Sequence, residues 1–264
     1  MKVERMSKKE LDVYCESIGI LVKGKSKAAL IKEANDFQRK NIDEARKNGT
    51  CLELLKEKIA ELSDRFSSNL REKIVARKED MKKDDNSHYL IYRVLGISHK
   101  EGALIDEYQN TGRFLYKYAG SFLEEAATIC MFFANSEGGK ILVENRQGMK
   151  PKTFEIDFLN GNDAVELKWR DATTDGDHIT KEHTRVKTIK SHGYNPVRVM
   201  FYYPQREQAI RIQETLKTIY KGVGGEYYAG DDAWEYIKNV SGYDLKAVLT
   251  EIADRRDKEK QDVQ

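Results

Sequence analysis

The sequence predicts an α/β (α+β) protein in which a mixed β-sheet flanked by helices follows an all-helical N-terminal region. Before residue 85, apolar residues recur at helical spacing, and all three prolines lie after residue 150. Between residues 140 and 203, short segments alternate apolar with polar residues or are continuously apolar, as strands do. Residues 120–220 therefore predict the order helix, three strands, helix, strand, helix, with a crossover to the fourth strand.

Composition limits the classes of function. The 264 residues are 39% hydrophobic and 34% charged, a globular balance, and the formal net charge is only +2. Any contact with nucleic acid must therefore come from local patches of basic residues. No apolar run approaches the roughly 20 residues that span a bilayer, so we expect no membrane partner. The three scattered cysteines have no metal-binding spacing and indicate a reducing cytoplasm.

The first 50 residues predict two helices with a tight link. Ser7 with Glu10 forms a capping box, and Ser26 begins the second helix. This order resembles the SAP module, a helix–loop–helix unit that often binds DNA. The functional interpretation gives phosphate contacts to Lys23, Lys25 and Lys27. The alternative is a helical hairpin whose lysines are simply solvated.

Residues 51–87 predict a long amphipathic helix and a linker, followed by the main domain at 88–254 and a charged, frayed tail at 255–264. Within the main domain a firmer helix starts near Gly120. Glu125 lies on the apolar face of that helix, where a carboxylate is costly unless it is paired or binds a metal. Glu124 lies to the side and is expected to be solvated.

A β-hairpin forms the centre of the predicted sheet. Residues 154–159 and 164–170 flank an Asn-Gly pair, which is the strongest short-range hairpin signal. Because side chains alternate along a strand, Asp157, Glu166 and Lys168 point to the side opposite the apolar residues. Two carboxylates and an amine on one rigid surface can hold a divalent metal beside a phosphate.

Hydrolysis of a phosphodiester requires charge neutralisation, an activated water and a stabilised leaving oxygen, and carboxylate-bound Mg²⁺ supplies all three. Mg²⁺ keeps several waters, so two acids suffice, and Glu125 would add a ligand from the helix below. Lys168 would polarise the water or pair with the phosphate. The alternative is a surface ion pair between Glu166 and Lys168 worth less than ~1 kcal/mol.

A polar segment and a basic helix follow the hairpin. Base edges would be read by Thr173, Thr174, Asp175, Asp177 and His178. The stretch from residue 178 to 198, most of it helical, supplies a cationic patch for tracking phosphates, with one acid, Glu182, against five basic residues: Lys181, Arg185, Lys187, Lys190 and Arg198. The alternative for the polar segment is a helix-capping turn with ordinary surface histidines.

The remaining elements are a strand at 196–203, a helix at 205–220, a glycine-rich loop at 222–230 and two final helices near 231–239 and 244–254. The strand is almost continuously apolar, which is typical of a central strand that is buried on both faces. It completes a sheet with helices on both sides.

Asp157 followed nine residues later by Glu166-Leu167-Lys168 resembles the catalytic signature of the PD-(D/E)xK nuclease superfamily, with Ile156 in place of the usual proline. The size, the single nuclease core and the absence of ATPase motifs resemble a type II restriction endonuclease. The run from Glu166 to His178 and the later Phe-Tyr-Tyr-Pro segment resemble the ApaLI-type group.

This resemblance implies a restriction-endonuclease-like core and Mg²⁺-dependent double-strand cleavage that leaves 5′-phosphates. It also implies a homodimer on double-stranded DNA, no nucleotide cofactor and a prokaryotic cytoplasm. Asp157 and Glu166 become metal ligands, and Lys168 becomes the base partner that positions the water. Two alternatives remain open: a repair or structure-specific nuclease of the same core, and a non-catalytic DNA-binding protein that uses the SAP-like hairpin.

Overall fold

The computed structural model describes residue 3 and residues 6–148, 150–170 and 176–261, apart from the side chains of 176–178. The chain forms two compact units, Met1–Ala60 with Glu124–Gln264, and Glu61–Leu123. Within the described part of the chain, no helix is long and apolar enough to cross a membrane.

The N-terminal hairpin consists of α1 (Lys8–Ser17) and α2 (Lys27–Asn48). Ser7 and Glu10 form the predicted capping box, and the Ser26 side chain accepts a hydrogen bond from the backbone of α2. Its core is built from buried residues of both helices and the preceding segment: Val3, Met6, Leu11, Cys15, Leu30 and Ala34. The predicted pair of helices is therefore confirmed.

Three helices make up or enter the second unit: α3 (Cys51–Met81), α4 (Tyr89–Val94) and α5 (His99–Ala134). The short apolar segment at 89–95, whose sequence pattern fits either a strand or a helix, is helical from Tyr89 to Val94. The predicted start of α5 near Gly120 is wrong by some twenty residues. Its earlier turns include Gly102 and Gly112, which lower helix propensity by about 1 kcal/mol each relative to alanine and obscure the pattern.

The five-stranded sheet contains β1 (Gly139–Glu144), β2 (Thr153–Asn160), β3 (Asp163–Arg170), β4 (Asn195–Tyr202) and β5 (Glu226–Ala229), in that spatial order. The pairs β1–β2 and β2–β3 are antiparallel, whereas β3–β4 and β4–β5 are parallel. This confirms the mixed sheet with its three-strand meander and crossover. The expected loop at 222–230 is wrong in part, because four of its residues pair with β4.

The crossover from β3 to β4 is α6 (Gly176–Ser191), and α7 (Glu207–Gly222), α8 (Asp231–Ser241) and α9 (Leu245–Gln261) follow. Helices α6, α7 and α8 pack on β4. Contrary to the expected fraying from residue 255, α9 continues to Gln261. Ion pairs such as Arg255 Nε–Glu259 Oε1, 3.9 Å apart along the helix, support this charged end.

Both faces of the hairpin strands are covered, which the alternating pattern did not predict. In β3 the four consecutive residues 164–167 are all buried, and Asp157 on β2 is only 5% exposed. The predicted acids therefore lie inside the protein, and the surface ion pair considered as an alternative is excluded by their burial.

The close approach of Gly138 to β2 yields a test of this packing. A Cβ at Gly138 would lie 2.5 Å from the Phe158 ring and 2.7 Å from the Leu159 carbonyl oxygen, whereas a Cβ at Gly139 would meet nothing within 4 Å. Gly138→Ala should lower the free energy of unfolding by about 1–3 kcal/mol, because buried aromatic and backbone atoms must move. Gly139→Ala is the matched control, and equal denaturant midpoints for both variants would contradict the packing.

Candidate active site

The structure brings Asp157 and Glu166 together on neighbouring strands. Phe158 on β2 pairs with Val165 on β3, so the two acids occupy the next positions along the hairpin. Here the Asp157 side chain reaches across, and its Oδ2 accepts a hydrogen bond from the Leu167 backbone N–H at 3.0 Å. Both acids are 5% exposed. The hairpin thus fixes two carboxylates side by side in a site with little water.

Glu166 lies between two cations. Lys168 Nζ is 2.6 Å from Glu166 Oε1, and Arg185 Nη1 is 2.5 Å from Glu166 Oε2. Burial alone would raise the pKa of Glu166, but the charges on Lys168 and Arg185 hold it below its ordinary value. Glu166 therefore stays ionised despite its burial.

Lys168 connects the buried acids to the more open side of the site. Its Nζ donates to the Leu167 carbonyl oxygen at 3.0 Å and lies 3.9 Å from Glu124 Oε1, and its side chain is 29% exposed. Burial alone would lower the pKa of Lys168, but the carboxylates of Glu166, Asp157 and Glu124 raise it above its ordinary value. Lys168 is accordingly an ammonium group at neutral pH.

Behind Glu166 the ion pairs continue into the core. Arg185 Nε is 3.1 Å from Glu182 Oε1, and Arg198 Nη1 is 3.1 Å from Glu182 Oε2. The Tyr220 hydroxyl donates to the same Glu182 oxygen at 3.0 Å. We call Glu166, Arg185, Glu182, Arg198 and Tyr220 the buried charge network. The four ionised members alternate in charge, so each buried ion has a partner of opposite sign.

The site offers two of the carboxylate ligands that a hard cation prefers. Asp157 and Glu166 offer carboxylate oxygens, which Mg²⁺ prefers, and Mg²⁺ retains several waters when few protein ligands are present. Among the residues that the structure describes, no group of three His, Cys, Asp or Glu side chains could hold a metal ion. The chain therefore fits a site with two protein ligands, and a cation binding Glu166 would compete with Lys168 and Arg185.

One family model matches most of the chain. The model of the ApaLI-like restriction endonuclease family matches residues 26–254, most of the chain and all five strands. The chain belongs to the ApaLI-like restriction endonuclease family. Neither a curated protein nor a solved structure matches the chain. Membership makes this ApaLI-like protein a nuclease that acts on DNA.

The family match begins at Ser26, the N-cap of α2, and so includes α2 and α3 with the sheet. Of the SAP-like lysines, Lys25 Nζ lies 2.5 Å from Glu33 Oε2, while Lys23 and Lys27 are exposed. Phosphate contact by these three lysines stays a prediction.

Sequence reasoning placed Arg185 in an exposed cationic patch, and the structure places it elsewhere. The Arg185 side chain is 13% exposed, and its guanidinium contacts Glu166 and Glu182 as well as the Glu155 carbonyl oxygen. It is therefore part of the ApaLI-like protein's interior, because two buried carboxylates attract it more strongly than solvent does. The exposed basic residues of α6 are Lys181, Lys187 and Lys190.

The other predicted DNA contacts are located only in part. Thr173, Thr174 and Asp175 lie outside the described residues, as do the side chains of Asp177 and His178 on α6. Their role in reading bases stays a prediction.

Of the two acids of α5, Glu125 is buried, as its place on the apolar face predicts, whereas Glu124 is less exposed than expected. Glu124, expected to be solvated, has a side chain only 19% exposed, and its Oε1 lies near Lys168. Glu125 is 2% exposed. The observed contact with the catalytic candidates is thus made by Glu124, and a metal-ligand role for Glu125 stays a prediction.

Sequence reasoning missed the roles of Glu182 and Tyr220, and it wrongly placed Arg198, which is 2% exposed and pairs with Glu182, in the cationic patch. Two signals were present: Glu182 is the single acid in a basic run, and Arg198 interrupts a strand that is otherwise apolar. In the parallel register Arg198 lies directly beside Glu166. A lone charge inside an apolar strand indicates a buried partner of opposite sign.

Glu182 contacts both arginines of the buried charge network, so its removal tests how much the network contributes to stability. Glu182→Gln leaves Arg185 and Arg198 with less compensating charge inside the protein and should lower the free energy of unfolding by about 3–5 kcal/mol. Glu207→Gln is the matched control, since Glu207 pairs with Arg211 on the surface, where an ion pair contributes less than ~1 kcal/mol. Similar denaturant midpoints for the two variants would show that the buried pairs contribute no more than a surface pair.

Proposed function

We propose that this protein is a type II, site-specific endonuclease that cuts both strands of DNA with Mg²⁺ and leaves 5′-phosphates. The observation that carries the proposal is the trio formed by the buried acids Asp157 and Glu166 with the partly exposed Lys168, within a chain of the ApaLI-like family. A structural ion pair would need no second carboxylate beside it. Two adjacent acids with an ammonium group match what phosphodiester hydrolysis requires.

Asp157 and Glu166 are the proposed ligands of the metal. When bound, Mg²⁺ would lower the pKa of a coordinated water and neutralise charge on the phosphate. The hydrogen bond from the Leu167 N–H orients the Asp157 carboxylate, and burial keeps bulk water away from both acids. A carboxylate held in this way loses little conformational entropy when it binds a cation.

Lys168 acts in this proposal as a hydrogen-bond donor and a positive charge. The neighbouring carboxylates raise the pKa of Lys168, which favours the ammonium form that can orient a water and stabilise negative charge. Its partial exposure places the ammonium group where a phosphate can arrive from solvent.

Arg185 acts through Glu166 and is a positioning residue. Its guanidinium holds Glu166 Oε2 while Glu182 holds the guanidinium from the other side. This chain of contacts fixes the orientation of the Glu166 carboxylate. We therefore transfer Arg185 from the proposed DNA contacts to the support of the active site.

Contact with double-stranded DNA is proposed for the exposed lysines of α6, namely Lys181, Lys187 and Lys190. Lysines on one helix that follow the catalytic hairpin can neutralise phosphates without reading sequence. The segment at 173–178 remains the proposed reader of bases, and the SAP-like lysines remain a proposed second phosphate contact.

Two strands of opposite polarity require two cutting centres, and each chain carries one trio. A homodimer whose two-fold axis matches that of the DNA site satisfies this requirement. The proposal includes no nucleotide cofactor and places the protein in the prokaryotic cytoplasm beside the cell's DNA.

Two substitutions test the catalytic trio. Asp157→Asn and Lys168→Ala should each reduce cleavage of plasmid DNA with Mg²⁺ by at least ~10³-fold, because each removes a charge that the reaction requires. Sequence-specific binding in a gel shift should persist. Lys140→Ala is the matched control, because Lys140 is similarly buried but pairs with Glu155 outside the trio.

The products of the wild-type digest separate the alternatives. Discrete fragments with 5′-phosphate ends support a restriction enzyme, whereas smears or a requirement for DNA junctions support a repair or structure-specific nuclease. Retarded DNA without cleavage would support a non-catalytic binding protein. Unchanged turnover in Asp157→Asn or Lys168→Ala would remove the trio from the mechanism.

The exposed lysines of α6 can be tested separately. Neutralising Lys181 and Lys187 together, as Lys→Gln, should weaken binding to all sequences and reduce the slope of log K against log salt by about 1–2. Neutralising Lys258 and Lys260 on α9, which are also exposed, is the matched control. A slope that matches wild type would mean that this face of α6 does not meet DNA.

A further inference from the structure

Exposed apolar side chains are concentrated in the unit formed by Glu61–Leu123. Ten of the fifteen large hydrophobic residues that are exposed in the described part of the chain belong to it. These ten are Val75, Leu90, Ile91, Val94, Leu95, Leu104, Ile105, Tyr108, Leu115 and Tyr116. Soluble monomers rarely leave so much apolar surface in one small region, which indicates an interaction surface.

Half of these residues lie along one face of α5. Leu104, Ile105, Tyr108, Leu115 and Tyr116 are 43–69% exposed and recur at helical spacing. Gly112 lies between them on the same face. We call these six residues the α5 stripe.

The other side of α5 already has partners within its unit. Asp106 Oδ1 accepts a hydrogen bond from the Tyr92 hydroxyl at 3.0 Å. Asn110 Oδ1 accepts from Arg77 Nη2 at 2.8 Å. These contacts hold α5 against α3 and α4, and the stripe is the face that they leave exposed.

No contact in the described part of the chain explains Gly112. A Cβ added there would meet nothing within 4 Å, although glycine in a helix interior costs about 1 kcal/mol relative to alanine. Gly102 on the same helix differs, since its Cβ would lie 2.7 Å from the Tyr92 ring. A glycine in the centre of an exposed apolar face permits another helix to approach closely.

The stripe is complementary to itself when it is reversed. If two copies of α5 cross antiparallel about Asn110, Leu104 faces Tyr116 and Ile105 faces Leu115 of the other copy. Tyr108 then faces Gly112, so the large ring meets the open space above the glycine. An arrangement in which residue i contacts j while j contacts i is the geometry of a two-fold interface.

We propose that the α5 stripe is a homodimer interface, with a second copy of this chain as its occupant. The choice of a second copy rests on the proposed double-strand cleavage, which needs two trios. If each of the five large side chains presents about 100 Å², the stripe supplies on the order of 500 Å² of apolar area. A standard interface takes about 800 Å² from each partner, of which about 65% is apolar in homodimers, so the area suffices.

The test measures assembly of the full chain without DNA, by sedimentation equilibrium over a micromolar range. Tyr108→Glu places a charge in the proposed contact, and Gly112→Leu fills the space that the partner's Tyr108 would occupy. Gly112→Leu is the sharper variant, because a Cβ at this position meets no described atom within 4 Å and leucine should favour the helix. The matched controls are Val13→Glu, 61% exposed on α1, and Gly222→Leu, which also meets nothing within 4 Å.

Wild type and both controls should sediment as dimers, and the dissociation constants of Tyr108→Glu and Gly112→Leu should rise at least ~10-fold with unchanged helical circular dichroism. A monomeric wild type would overturn the proposal and assign the stripe to a different partner. A dimer that withstands both substitutions would also overturn it.

Cleavage assays distinguish failure of the proposed interface from failure of the proposed function. If the wild type forms the dimer as expected but neither cuts nor nicks DNA with Mg²⁺, the nuclease proposal fails and the interface stands. If the wild type linearises plasmid DNA as a monomer, the interface fails and the nuclease proposal stands.

Discussion

The structure depends on the constraint that an ionised carboxylate inside a protein must be compensated. Glu166 is 5% exposed, and an isolated buried carboxylate would take up a proton instead of remaining charged. Lys168 and Arg185 prevent this by contacting its two oxygens. The same two contacts keep the acid ionised and fix its direction, so stability and the proposed chemistry have a common physical cause.

Compensation of one acid determines the elements around it. Arg185, on α6, forms a second ion pair with Glu182. Arg198, on β4, also pairs with Glu182. The charge of Glu166 on the hairpin is therefore compensated only when α6 and β4 pack against the hairpin in this arrangement. Replacement of such a network by apolar residues is often tolerated for stability alone, so its presence is consistent with a functional site.

Local sequence patterns predicted some features of the structure and missed others. The Asn-Gly hairpin, the capping box at Ser7 and the helix–strand order depend on contacts a few residues apart, and each is present in the structure. The role of Arg185 could not be predicted in this way, since a basic residue on a charged helix has the same local pattern whether it faces solvent or a buried acid. The fourth strand's pairing with β5 was missed because glycines flank that short strand.

The sequence by itself predicted most of the elements, the mixed sheet and the common face of the three residues of the proposed trio, because strand and helix periodicity fix which side chains share a face. Only the tertiary structure decided that both faces of the hairpin are buried, that Glu124 approaches Lys168, and that Glu182, Arg198 and Tyr220 support Glu166. It also decided that the α5 stripe stays exposed. Burial and ion pairing depend on residues far apart along the chain, and local patterns carry no information about which distant side chains meet.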